Sequence, residues 1–234
     1  DTTTEWGYIA LIMMIFAVVQ TANVFSKTYF PMISELEKIV FKGDPSLPNY
    51  KVTLSESGDE ILVEGGMKYG LLEDVKKLMD MAPKAHTIEL NSGGGREGVA
   101  LDLYNLIKDA GFNTVVNNEC LSACPLAFAG GVNRWLGAGA RIGFHRASFP
   151  GTDAADLSIA SMELWRPVAL SQDISFDFVK LHSSVPSKDM SYPSRDELYE
   201  ANFITGEVSE AVSSALAFQA SAEPALIELK ATLP

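Results

Sequence analysis

Several things that would announce a function are scarce in this chain. It has only two cysteines in 234 residues, too few for a disulfide-stapled scaffold. Imidazole is nearly as rare: His86, His145 and His182 are the three histidines, so general bases and metal ligands have few candidates. Positive charge is short too. Eighteen Lys and Arg against thirty Asp and Glu give a formal net charge of −12. A surface this acidic repels phosphate backbones and excludes a general nucleic-acid binder. No glycine-rich loop is followed by Lys-Ser/Thr, and no G-x-G-x-x-G occurs, which excludes the common nucleotide cradles; no cofactor is expected. Two thiols without a clear histidine or acid beside them fall short of a zinc set, so no metal is expected either. Repeats and low-complexity tracts are absent. At 47% hydrophobic and 21% charged residues, the chain is also unlike a disordered protein.

What is present is unevenly spread. Gly7 to Val19 reads GYIALIMMIFAVV, with no charged or strongly polar side chain, and the uncharged stretch ends only at Lys27. From Trp6 to Phe25 is 20 residues, about 30 Å as an α-helix, the thickness of a hydrocarbon core. Trp6 and Tyr8 at one end and Tyr29 and Phe30 at the other suit the two interfaces. Gln20 and Asn23 would face a partner helix rather than lipid. A signal peptide would have a basic leader and a small-x-small cleavage site, neither of which is visible. A buried core helix is seldom apolar all round. Residues 1–27 are therefore expected to be a transmembrane anchor contacting the bilayer through residues 6–25. Asp1 and Glu5 before the span and Lys27 after it would, by the positive-inside rule alone, place the remainder in the cytoplasm. A basic segment before Asp1 would reverse that.

Residues 28–48 read as a juxtamembrane helix, with Ser34 able to cap it, and a linker closed by Gly43, Pro45 and Pro48. Lys51–Ser55 and Glu60–Val63 alternate across Ser57-Gly58-Asp59, a hairpin pattern. Helical spacing over Gly70–Met81 is followed by a strand over His86–Leu90. A glycine turn comes next, then a helix bearing Val99, Leu103 and Ile107. A strand over Phe112–Val116, a small-residue helix over Cys120–Ala129 and a strand over Arg141–Phe144 complete the series. Strands alternating with helices imply an α/β domain with a mostly parallel sheet over 49–206. Residues 207–234 are expected to be an Ala/Ser-rich helical tail.

Three features fall at strand ends, where open α/β sheets place ligands. Asn91-Ser92-Gly93-Gly94-Gly95 is either a tight turn needing positive φ or a set of bare N–H groups for an oxyanion. Ser122, in Cys120-Leu121-Ser122-Ala123-Cys124-Pro125, is either a helix cap or a nucleophile with the Ala123 N–H beside it. His145 ends the strand RIGFH and is either structural or a general base.

Taken together, the run IELNSGGGREGVALDLYNLI…CLSACPLAFAGG…ARIGFHRAS resembles the Clp protease proteolytic subunit and its crotonase-like superfamily, over about residues 50–206. The resemblance is nearest to membrane-anchored, periplasmic Clp-like proteins with Cys-x-Ser-Ala-Cys. It implies a crotonase/Clp-protease-like ββα superhelix preceded by one transmembrane helix. It also implies Ser122 as nucleophile, His145 as base, and Gly95 and Ala123 as oxyanion donors. The chain departs from the pattern at the third triad position. Aligning Ser194 with the family's serine puts Met190 where the orienting aspartate belongs. Asp189 takes that role only if the loop holds one extra residue. Cys120 and Cys124 bracket Ser122 at a spacing that permits a disulfide across the turn, and hence an oxidising compartment; two buried thiols are the other reading. Two functions follow as expectations. One is a single-pass membrane serine hydrolase, a peptidase acting on peptide from a periplasmic domain. The other is an inactive Clp-like accessory subunit, in a membrane complex or self-associated. Acyl-CoA chemistry on the same fold would need no serine–histidine pair.

Overall fold

The computed structural model describes residues 2–30, 33, 37, 39, 43–148 and 155–208. Ser34 with most of the helix expected after it, and the segment 209–234, lie outside the described residues. The chain divides into two compact units, Asp1–Ser46 and Leu47–Pro234.

In the first unit, helix α1 (Thr2–Val24) runs into a π-helical turn, Phe25–Tyr29. Its described large apolar side chains are exposed, with Ile12, Met13, Phe16, Val18 and Val19 each more than half so. Thr21 donates to the Ala17 carbonyl at 2.8 Å and Ser26 to that of Asn23 at 3.1 Å, so these hydroxyls are satisfied by the helix itself. Among the described residues, no helix is long and apolar enough to cross a membrane.

The second unit is built on a six-stranded sheet in the order β1-β2-β3-β4-β6-β8: β1 (Tyr50–Leu54), β2 (Glu60–Gly65), β3 (Thr87–Asn91), β4 (Asn113–Val116), β6 (Arg134–Gly137) and β8 (Gly206–Val208). The β1–β2 hairpin is antiparallel and every later pairing is parallel. Helix α2 (Leu71–Met81) buries Leu71 and Val75. Helix α3 (Glu97–Ala110) buries Val99, Ala100, Leu103, Tyr104 and Ile107, an i, i+3/i+4 stripe, and ends at left-handed Gly111. Ile61, Val63, Ile88, Leu90, Val116 and Leu136 supply the buried face of the sheet.

A second, two-stranded parallel sheet pairs β5 (Glu119–Leu121) with β7 (Arg141–Gly143). It is joined to the first because the chain leaving β3 continues into it: Ser92 donates to Glu119 O and accepts from the Leu121 N–H, both at 2.9 Å. The helix expected over Cys120–Ala129 is thus corrected. Cys120 is in a strand, and helix α4 covers only Cys124–Phe128. Pro125, which lacks an N–H, is confined to the first helical turn, so α4 cannot reach back to Cys120. The boundary expected at 207 likewise falls inside β8, which takes in Glu207 and Val208.

Three more helices belong to the described part of the unit: α5 (Ala155–Ser171), α6 (Phe176–His182), capped by Ser175, and α7 (Arg195–Glu200), closed by a capping box between Ser194 and Glu197. They bring an aromatic cluster around Phe144, whose ring lies 5.2 Å from Phe203 and 5.8 Å from Phe178, both edge-on. Beneath it, Arg134 is 2% exposed. Its guanidinium donates to the carbonyls of Phe203 (3.0 Å), Gly131 (3.1 Å) and Asn202 (2.7 Å) and to the Gln172 side chain (3.2 Å). Burial holds its pKa below the usual arginine value. Arg134→Leu leaves these acceptors unsatisfied, and we expect about 2–4 kcal/mol of lost stability. The measurement is a lowered urea midpoint at unchanged slope.

Candidate active site

Parallel strands deliver the two principal side chains to one place. In the β5–β7 pairing Leu121 lies opposite Gly143, and the ladder closes with the Ser122 N–H donating to Gly143 O at 2.9 Å. Ser122 is one residue beyond Leu121 and His145 two beyond Gly143, so both emerge at the same strand ends. Their side chains meet: His145 Nε2 lies 2.7 Å from Ser122 Oγ. Ser122 has φ +61°, a left-handed conformation uncommon for serine. Such local strain at a strand-to-helix turn lifts a side chain out of the ladder.

A disulfide joins Cys120 and Cys124 across this turn, with Cα atoms 5.2 Å apart and both residues fully buried. It ties the end of β5 to the start of α4 on either side of Ser122. At five residues α4 contributes little macrodipole, so the bond and the ladder, rather than the helix field, position the serine.

The glycine turn forms the opposite wall. Gly94 has φ +100°, and a Cβ there would lie 2.5 Å from Ser122 Cβ, 2.7 Å from Leu121 O and 2.9 Å from Ala123 N. The two turns therefore touch backbone to backbone. Gly95 has φ +151°, with Met67 backbone occupying the space of its missing Cβ. Met67 clamps the turn, donating its N–H to Gly94 O at 2.9 Å and accepting from the Arg96 N–H at 2.8 Å. Ser92 fixes it from below, donating to Gly65 O at 2.6 Å and accepting from the Gly94 N–H at 3.1 Å. Neither the Gly95 nor the Ala123 N–H is donated to any acceptor among the described residues. The clamping parts played by Met67 and Ser92 were not read from the sequence. Ser92 lay inside the glycine motif, whereas Met67 carried no signal, because it acts through its backbone.

His145 is half-buried, and burial pushes its imidazole below the ordinary histidine range, with the nearby Arg146 backbone working weakly the other way. Its second nitrogen, Nδ1, is buried and has no hydrogen-bond partner among the described residues. Asp189 does not supply one. That residue is exposed, and its own N–H donates to Pro186 O at 2.9 Å. The structure thus brings Ser122 and His145 together, sets the Gly94 turn against Ala123, and gives Asp189 no hydrogen bond to His145 among the described residues. Among the described residues, no group of three or more His, Cys, Asp or Glu side chains is placed to hold a metal ion.

This architecture is a Clp-protease-like α/β fold. No protein-family model and no curated protein matches the chain. Among solved structures, ClpP1 from Listeria monocytogenes superposes over 67% of this chain and 95% of its own, with a TM-score of 0.53 and 17% identity. An Asn-to-Asp mutant of ClpP1 from the same organism superposes over 66% and 93%, with a TM-score of 0.50 and 18% identity. At that identity the likeness is one of fold.

Gly94→Ala drives a Cβ into Ser122 and Leu121 and strains φ. It should lower stability by about 2 kcal/mol or more. Gly93→Ala, where nothing lies within 4 Å of the added carbon, should cost little. Paired thermal melts of the two variants distinguish them.

Proposed function

We propose that the chain is a membrane-tethered serine hydrolase of Clp-like fold that acts on peptide carbonyls. The observation that carries this reading is the 2.7 Å contact between His145 Nε2 and Ser122 Oγ at a left-handed strand-to-helix turn. Neutral His145 takes the Ser122 proton as Oγ attacks the carbonyl carbon, and the Gly95 and Ala123 N–H groups receive the developing oxyanion. The imidazolium then returns the proton to the leaving amine. Tethering is supported by the 23-residue α1, whose described apolar side chains are exposed. A bilayer would cover what water does not favour. The Cys120–Cys124 bond supports a periplasmic or otherwise oxidising location for the domain.

One observation favours a second reading. With Nδ1 of His145 unpartnered, the chain suits an inactive subunit held in a membrane complex or in self-association.

A fluorophosphonate probe separates the two. Wild type should be labelled and Ser122→Ala should not; no labelling of wild type at any pH would sink the hydrolase reading. Complete extraction in mild detergent as a lone monomer would count against the subunit reading. The pH dependence follows from the burial of His145. The neutral base is the active form, and its depressed pKa keeps it neutral further into acid. Labelling should therefore rise with pH through a midpoint below the ordinary imidazole value of 6.5.

A further inference from the structure

Both cysteines of the chain sit around Ser122. Cys120 lies in β5, opposite Ile142 of β7, and Cys124 opens α4. The bond between them spans Leu121, Ser122 and Ala123, so one link brackets the serine and the Ala123 N–H. Ahead of Ser122 the backbone is held by ladders: Leu121 N–H donates to Ser92 O and Ser122 N–H to Gly143 O, both at 2.9 Å. Behind it the hold is weaker. Helix α4 has five residues, too few to persist on its own hydrogen bonds, and Leu126 N–H reaches Ala123 O at 3.1 Å. Ser122 keeps φ +61°, which a serine adopts only where its surroundings impose it. The glycine turn leaves no slack on its side, since a Cβ at Gly94 would lie 2.5 Å from Ser122 Cβ and 2.9 Å from Ala123 N. Both cysteines are fully buried in the packed core, and two thiols in van der Waals contact take more room than a bonded pair. Without the bond the sulfurs press β5 and α4 apart. The segment that absorbs this is Leu121–Ala123.

We infer that formation of the Cys120–Cys124 bond switches the site on: with both thiols free the Ser122 turn relaxes away from His145, and oxidation assembles the pair. The step is thiol–disulfide exchange with a disulfide-bearing oxidant, small molecule or protein. The thiolate of one cysteine attacks the oxidant's disulfide and displaces its first thiol. The second cysteine then attacks the mixed disulfide and displaces the other. The cysteines lose two electrons and two protons, and the oxidant departs as two thiols. The switch runs one way. The oxidant reaches the thiols while the turn is relaxed, whereas neither cysteine exposes any surface once the bond is made, so a reductant must first open the domain. A chain still in a reducing compartment is thereby held silent. The inference deepens the hydrolase reading and rests on it only for the labelling readout; the turn responds to the bond whether or not the serine turns over. Cys120 and Cys124 are positioning residues, since they act on the reacting atoms only through Ser122 and Ala123.

The test compares the full-length chain in mild detergent in its oxidised form, after refolding with dithiothreitol, and after reoxidation of that reduced form with glutathione disulfide. Alkylation and mass count the thiols, and circular dichroism reports the fold. The reduced form should react with the fluorophosphonate probe roughly ten- to a hundred-fold more slowly than the oxidised form, and reoxidation should restore the rate. If the reduced form does not fold, the double variant Cys120→Ala, Cys124→Ala replaces it and should be slow as well, because it lacks the link. Equal rates with and without the bond would overturn the inference. Dithiothreitol should free no thiols from the native chain until urea is added; rapid reduction without urea would overturn the one-way switch. ¹⁵N NMR of the three histidines separates this from the hydrolase reading. The His145 ring shifts should differ between the oxidised and reduced forms, while His86, at the other end of β3, stays unmoved. His145 shifts that move without labelling of either form would uphold control of the turn and defeat the hydrolase reading instead. Unmoved His145 shifts would overturn the inference.

Discussion

The site depends on one backbone contact, the Ser122 N–H donated to Gly143 O at the end of the small parallel sheet. That bond sets the stagger between β5 and β7, and the stagger decides that a serine and a histidine twenty-three residues apart emerge side by side. Everything else in the neighbourhood can be seen as holding it in place. The disulfide restrains one strand on both sides of the serine. Ser92 carries β3 into the same sheet. The Phe144–Ser191 bridge restrains the other strand just before the histidine. Parallel pairing is productive here because both strands end at the same level, so residues following them share one edge.

Much of this could be read from the residues. The hairpin at Ser57–Asp59, the helices at Leu71–Met81 and Glu97–Ala110, and the strands at Thr87–Asn91 and Asn113–Val116 all carry period-2 or period-3.6 patterns with clear turn residues at their ends. The legible part of the site was its chemistry, a glycine run, a serine and a histidine in one order. The strand holding Cys120 was not legible. Three residues are too few to show a period, and small side chains beside a proline look like a helix start. The strand Arg134–Gly137, of four residues, and helix α6, of seven, were also too short to show a clear period. That Asp189 makes no hydrogen bond to His145 among the described residues was hidden for another reason, since the Phe144–Ser191 bridge register is a tertiary property that no local pattern displays.

The small-residue composition around Ser122 follows from the same closeness. Gly94 and Gly143 are places where backbone or a neighbouring side chain comes near enough that a larger group would intrude, and Met190 occupies the space left at Gly143. The site is therefore defined as much by missing side chains as by Ser122 and His145. The environment suits a neutral imidazole, because burial disfavours the cation.

Arg134 has a consequence for how the domain is completed during synthesis. The guanidinium is sunk in the core, yet its carbonyl partners at Asn202 and Phe203 lie 68 and 69 residues further along the chain. Until those residues leave the ribosome, a cation must either stay in water, keeping β6 from settling against its neighbours, or enter the core with bonds missing. The last described stretch of the domain thus works as a latch, and a nascent chain ending before residue 202 should remain open at the strand that carries Arg134.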